Sequence, residues 1–490
     1  MNSKNTNHLH WGNIDYRFKH EQLIAQYLKY LSLFLLIAIL PCMAATLQDA
    51  HLVGPANTSG LTQAQGWVDV AADGTIHVIF AGTKYRTGSA PDKLGNTETF
   101  TSDSEVWNAR MKLDYQGVPH IVYQKSIASG AKTCFYTTKK DGKWITPEKF
   151  ADADELGKTR AYYPSIAVDS AGNVLVAFWT GDSDKSSNNV PHYRWRSPSG
   201  SWGSDKSIPR SSWKSSPKVK ELNGGFYILY MSVSEETCIA GPVEAGGTFS
   251  DDVCTEGTNQ VGSVNEGNDF TIASDSTIVI IGNARVGFEG PSGLWAATKS
   301  GATFETPVYL GDFLNSGKIE GDMHPDVMID KATGAVVAIA QDGEDKTSYF
   351  FVYENDSWSK GKAISNESGE QTCFRTGPSI ADMPGPGVII CFRSGNNLYI
   401  RELVTEGTLN LDNSVFFQQN TGSYSQLGML ATGTGLSFRF PEKGNFDLII
   451  SDLNGKIIAS YRNINASTFT HAMVDFETGL HIISFKKLVE

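Results

Sequence analysis

The chain has 490 residues, of which 19% are charged and 11% aromatic, with 48 glycines and a formal net charge of −12. The length accommodates one large domain and a smaller one, and the glycine-rich, charge-poor make-up suits an exported all-β protein with many turns. The acidic balance, with no basic face, excludes nucleic acid as a partner, while a local basic pocket for a sugar stays compatible with it.

The first element is an apolar run, "LSLFLLIAIL" at residues 31–40, preceded by Lys29 and followed by "PCMAAT". It falls short of the ~20 residues that span a bilayer, and its flanks match a secretory signal peptide. Residues 1–44 are therefore expected to be a signal peptide with a long polar lead. The mature chain is expected to carry no transmembrane segment and to be secreted or held at the cell surface. Five cysteines follow, and export permits disulfides. Cys238 and Cys254 bracket a glycine-rich loop and Cys373 and Cys391 flank one hairpin, so both pairs are expected bridges and Cys134 is left over. The absence of a Cys-x-x-Cys pair speaks against a zinc-thiolate site.

From Trp67 onward one hairpin pattern recurs: "WVDVAADGTIHVIFAG", "ARMKLDYQGVPHIVYQ", "PSIAVDSAGNVLVAFW", "PKVKELNGGFYILYMS", "NDFTIASDSTIVIIGN", "HPDVMIDKATGAVVAI" and "PSIADMPGPGVIICFR". These seven copies start roughly 40 to 56 residues apart, the period of a β-propeller blade. The sequence thus predicts an all-β chain, with a seven-bladed β-propeller over residues 45–405 and a small immunoglobulin-like β-sandwich over residues 406–490. The seventh unit lacks a fourth strand after "NLYIRELV", and "TLQDAHLVGPA" is placed to supply it and close the ring.

Several units continue with an aromatic-rich turn, as in "FYTTKKDGKWITP", "YRWRSPSGSWGSD", "LWAATKSGATFETP" and "FVYENDSWSKG". These resemble the Asp-box turns of sialidase-like propellers over roughly residues 50–405. The resemblance implies architecture, because such turns occur in enzymes and lectins alike. The C-terminal "SDLNGK" hairpin and closing "TGLHIISFKK" resemble the sorting domain of the type IX secretion system, with His481 where tyrosine is usual. That likeness implies the secretion machinery as a partner.

In a propeller the blade entries and the ends of the second strands share one face, where loops on a rigid scaffold form sites. Entries contribute Trp107, Arg110, Arg160, Tyr162, Tyr163, Trp213, Asp269, Asp322, His324 and Arg375. Second-strand ends contribute Arg86, Lys125, Asp182, Asp184, Arg285, Asp342 and Arg393. Aromatic faces stack on sugar rings and arginine pairs with carboxylate or sulfate, so an anionic polysaccharide or oligosaccharide is the expected ligand. His77 and His120 recur at equivalent positions, which argues for a structural role.

"EGDMHPDV" places Asp322 two residues before His324 at a blade entry. A polysaccharide lyase needs a cation at the uronate carboxylate and a base for the C5 proton. His324, Tyr163 and Arg375 are the catalytic candidates, with Arg110, Arg160, Tyr162, Asp182, Trp213, Arg285, Asp322 and Arg393 binding substrate. The Asp-x-His element resembles seven-bladed propeller lyases of the ulvan-lyase type. A sialidase-like hydrolase uses the same inventory, but "KYRTGSAP" replaces the Arg-Ile-Pro motif that such enzymes carry. A lectin is the third reading, and the unequal blade entries favour one composite site over repeated identical ones. No cofactor is expected; Asp182 and Asp184 in "TGDSDKSSNN" are the one candidate holder of Ca²⁺.

Overall fold

Each of the apolar repeats folds as an antiparallel meander, and the meanders close into a ring. The computed structural model describes residues 45–55, 66–103, 105–127, 131–182, 190–209, 211, 217–234, 236–255, 268–273, 276–284, 293–301, 303–314, 316–317, 325–342, 347–354, 356–364, 378–405, 415–417, 428–432, 435–452, 457–472 and 481–487, with side chains described up to residue 405. The chain divides into a unit of residues 1–44 and one of residues 45–490, and the fold below is that of the second. Among the described residues no helix is long and apolar enough to cross a membrane.

Blade 1 comprises Trp67–Val70, Ile76–Phe80, Lys84–Gly88 and Glu98–Thr99. Blade 2 comprises Trp107–Leu113, Pro119–Ser126 and Lys132–Lys140, whose outer edge is paired by Lys143–Trp144 and Glu148–Ala151. Blade 3 is Arg160–Val168, Val174–Gly181, Val190–Arg196 and Lys206–Ser207, and a single parallel pairing, Arg160 with Lys132, joins it to blade 2. Blades 4 and 5 begin at Lys218–Leu222 and Asn268–Ile272, and blade 6 begins at Asp326–Ile329. Blade 7 holds Ser379–Asp382, Val388–Ser394 and Asn397–Val404, and its outer edge comes from the start of the unit: Thr46–Leu47 and His51–Pro55 run antiparallel to Asn397–Val404. Each blade's first strand packs on the next, and Ser379–Asp382 packs on Trp67–Val70, so the ring is closed.

Two repeated devices join the blades. On the inner strands, a side chain accepts a hydrogen bond from a backbone N–H of the next blade. Asp69 accepts from Leu113, Ser165 from Val219, Asp269 from Val327, Asp326 from Ile380 and Ser379 from Val68, at 2.8–3.2 Å. Inner strands buried on both faces have few other partners for such amides, so a short polar residue there satisfies a group that would otherwise be orphaned.

Farther out, the aromatic turn of one blade plugs the blade before it. Trp144 packs edge-on against Tyr85 at 5.1 Å, and Trp202 against Tyr136 at 5.5 Å. Their indole N–H groups donate to Glu98 and Glu148, and both glutamates lie in the outermost strands of the preceding blades. Behind them, His77 Nδ1 lies 2.6 Å from the Tyr85 hydroxyl and His120 Nδ1 lies 2.7 Å from that of Tyr136. The recurring histidines are therefore scaffold: each satisfies a buried tyrosine that is in turn covered by the next blade's tryptophan.

Beyond the ring, Val415–Phe417, Gly428–Thr432, Gly435–Asp452, Ile457–Ala472 and His481–Lys487 form a sheet of their own. Gly435–Asp452 changes partners along its length: Gly428–Thr432 pairs with its first five residues and His481–Lys487 with its last seven. The described pairing is one continuous sheet, and the pairing with Ile457–Ala472 shifts register between Arg439 and Gly444, Phe446 and Leu448, and Ile450 and Ser451.

Candidate functional site

The inner strands surround a channel that holds a cavity of about 120 Å³, reached by Trp67 and Arg110 toward the blade entries and by Glu221 and Met328 farther along. Its wall is charged. Lys112 Nζ lies 3.0 Å from Asp69, and Lys220 Nζ lies 2.6 Å from Asp269 and 3.7 Å from Asp326. Burial opposes the Lys112 ammonium, but the Asp69 carboxylate outweighs it and holds the pKa above the usual lysine value. Burial, and then the adjacent Asp269 charge, push Asp326 up to about 8. Burial also opposes the Asp269 carboxylate, but Lys220, Asp326 and the Val327 N–H hold its pKa below the usual range. The two acids thus share one proton beside one ammonium. Since both also clasp neighbouring backbones, this group reads as the ring's polar core.

The entry face between blades 2 and 3 is built differently. The pairing of the first two strands shifts between Trp107 and Arg110 in blade 2 and between Tyr162 and Ser165 in blade 3. At these bulges Asn108 has φ +49° and Tyr163 φ +50°. Left-handed backbone at a bulky residue such as tyrosine costs on the order of 1–3 kcal/mol, and bulges of this kind re-aim side chains beside active sites. The Tyr163 N–H donates to Gln124 Oε1 at 2.8 Å, so blade 2 holds the blade 3 bulge in place.

The bulges gather rings and cations. Lys132 Nζ lies 3.1 Å from the centroid of Trp107 and 5.6 Å from that of Tyr162. The Arg160 guanidinium is 5.3 Å from the Tyr162 ring, and Arg110 stands 4.4 Å over Trp67. Tyr162, Tyr163 and Trp179 form an aromatic cluster of their own, with centroids 4.8–5.8 Å apart. Beside it, both polar atoms of the buried Asn108 amide, Trp107 Nε1 and Thr133 Oγ1 have no hydrogen-bond partner among the described residues.

Of the residues expected at this face, Arg160, Tyr162 and Tyr163 are brought together, while Arg110 stands over Trp67 on the channel wall. Asp182 is exposed and 3.6 Å from Lys158. Arg393 is half-buried and donates to the Gly395 carbonyl of its own turn. Arg86 donates to the Val53 carbonyl of the closing strand, and Lys125 pairs with Asp103. Trp213, Arg285, Asp322, His324 and Arg375 lie outside the described residues, as do Asp184 and Cys373. Cys238 and Cys254 sit opposite each other on adjacent strands and form a disulfide, while Cys391 is buried at 1% exposure and its expected partner is Cys373. Glu236 lies against the disulfide sulfurs, but with both sulfurs bonded to each other the group offers a metal one carboxylate.

Lys132, Trp179 and Gln124 escape a reading confined to strand starts and ends around the first hairpin, whereas Asn108 belongs to the Trp-Asn entry of blade 2. Lys132 opens a third strand, which starts on the same face, so counting third-strand starts would have found it. The bulges have no counterpart in residue type.

No protein-family model matches the chain, and no curated protein matches it. Among solved structures, it is similar to the Trypanosoma rangeli sialidase in complex with the inhibitor DANA at 10% identity, over 80% of this chain and 84% of that one, with a TM-score of 0.43. It is also similar to the Fusarium graminearum α-L-arabinofuranosidase Arb93A in complex with an iminosugar inhibitor, at 10% identity over 73% and 98% with a TM-score of 0.43. The Streptococcus pneumoniae NanB sialidase follows at 10% over 74% and 92%, with a TM-score of 0.42. Overlap this low transfers no activity, and the class of the protein, an all-β propeller, rests on its own strand pairing.

Proposed function

We propose that the protein is an exported carbohydrate-active propeller that takes an acidic polysaccharide at the blade-entry face and cleaves it by β-elimination. The observation that supports this reading is the pair of cations, Lys132 and Arg160, set beside the rings of Trp107 and Tyr162 at two strained bulges. Trp107 packs beside a sugar unit, the buried Tyr162 backs the cations, and the cations neutralise a uronate carboxylate, which acidifies the C5 proton. A base takes that proton, the C4–O bond breaks, a C4–C5 double bond forms, and the departing oxygen receives a proton. Tyr163 and His324 are the candidate bases, and Arg375 is a further carboxylate partner.

Incubation with polygalacturonate, alginate and other uronate polymers, followed by ultraviolet absorbance, tests the reaction. New absorbance from the double bond is expected. Tyr163→Phe is expected to lower turnover by roughly 10²–10⁴-fold with the fold intact. New reducing ends without absorbance would replace elimination by hydrolysis, and binding without either would leave a lectin.

A further inference from the structure

On the opposite face of the ring, the first hairpin turns of blades 1 and 2 stand side by side. Residues 71–75 and 114–118 have the same hydrogen-bonded form, with Gly74 at φ +85° and Gly117 at φ +76°. The turns approach so closely that a Cβ on Gly117 would meet the Ala71 methyl at 3.2 Å. Between them runs a groove of about 270 Å³ lined by Ala71, Asp73, His77, Tyr115, Gln116 and Gly117, among others. This lies near the lower end of small-molecule sites, at about 300 Å³, and suits one ring at a time.

Tyr115 is 62% exposed, the large aromatic most open to solvent among the described residues. It is nevertheless held in place. Gln116 Nε2 donates to its hydroxyl at 2.8 Å, and the Asp114 carboxylate accepts the Gln116 and Val118 N–H groups at 2.9 Å. A turn tip gains nothing in stability from an ordered, solvent-facing ring. Around this ring lie groups that donate and accept. Asp73 accepts from the Thr75 N–H and from the Thr75 hydroxyl, His77 spends Nδ1 on Tyr85, and both residues line the groove. Burial lowers the His77 pKa, so the imidazole is neutral at pH 7. With no lysine or arginine in the described lining, the groove carries at most the negative charge of Asp73.

We infer that this groove is a second carbohydrate site, distinct from the entry face, that binds an uncharged sugar unit stacked on Tyr115 with its hydroxyls on Asp73 and Gln116. The chemistry differs from that of the entry face, where cations select an acidic sugar. The turn-face groove rejects acidic sugars by the Asp73 charge and takes the neutral units of the same or a neighbouring polymer. Since it lies across the ring from the bulges, it holds a chain without presenting it for cleavage.

Calorimetric titration of the full chain with cellohexaose, maltohexaose, mannohexaose and xylohexaose tests this. At least one is expected to bind with millimolar or better affinity, and Tyr115→Ala to weaken it by about tenfold or more. Tyr115→Phe, which keeps the ring, is expected to retain most of the affinity. Arg160→Ala is expected to leave neutral-sugar binding unchanged while impairing acidic-polymer binding, so the two sites fail separately. Binding of none of the four, or an unchanged affinity in Tyr115→Ala, would overturn the inference.

Discussion

Asp326 offers a sharp test of the channel's electrostatics. Its carboxyl is pushed up to about 8, first by burial and then by Asp269. In the unfolded chain it ionises near the ordinary aspartate value of about 4. Between those values the folded state binds the extra proton, so the stabilising contribution is full below the unfolded value and is lost as pH rises through the folded one. For one such group, raising the pH from 7 to 9 removes roughly 1–2 kcal/mol, a melting shift of a few degrees in a domain of this size.

Asp326→Asn mimics the protonated acid. Its amide oxygen accepts the Ile380 N–H that the carboxyl accepts at 3.2 Å, and its NH₂ faces Asp269. Thermal unfolding followed by circular dichroism at pH 7, 8 and 9, at constant ionic strength, is the assay. The wild type is expected to lose stability across this range and the variant to lose distinctly less. An identical decline in both proteins would refute the shared proton at Asp269 and Asp326.

Two further predictions concern contacts within single blades. Tyr136→Phe removes the hydroxyl 2.7 Å from His120 Nδ1, and leaving that buried nitrogen unpaired is expected to cost about 1–3 kcal/mol in denaturant unfolding. A change within a few tenths of that scale would show that the histidine–tyrosine pair is not a structural unit. Replacing Cys238 and Cys254 together by serine opens a loop with a sequence separation of 16 and is expected to cost about 3 kcal/mol, with reductant then having no further effect through that bridge. Unchanged stability would mean that the bridge adds nothing to this blade.

The ring was legible because its signals are local. Period-2 apolar strands around Gly-Asp-Asn turns recur seven times, and the short seventh unit points to an N-terminal strand for its edge. His77 and His120 could be assigned to scaffold on recurrence alone, and the tyrosine beneath each and tryptophan over it supply the reason. The entry face was legible in part. Arg160, Tyr162 and Tyr163 announce themselves at a blade entry, but Lys132 reaches Trp107 across the second strand of the same blade, a contact set by strand register. The left-handed backbone at Asn108 and Tyr163 is imposed by strand register against neighbouring blades, and nothing in a tyrosine's own preferences foretells it. In the channel, Lys112 and Lys220 sit among other polar residues of their strands and do not stand out in the sequence. Which acids they meet depends on how seven distant segments converge.

The edge shared by His51–Pro55 and Asn397–Val404 also sets an order of events in time. The closing strand is made early, yet its partner is made more than 300 residues later, so the early strand must wait without its native neighbour while the blades are synthesised. Throughout that interval both ends of the incomplete ring present unpaired strand edges, which invite association with other chains. Closure over so long a separation is also slow, because most of the chain must be ordered before that contact is made. The step that completes the molecule is therefore its point of greatest exposure to misassembly, and a holdase that shields strand edges would act to most effect just before it.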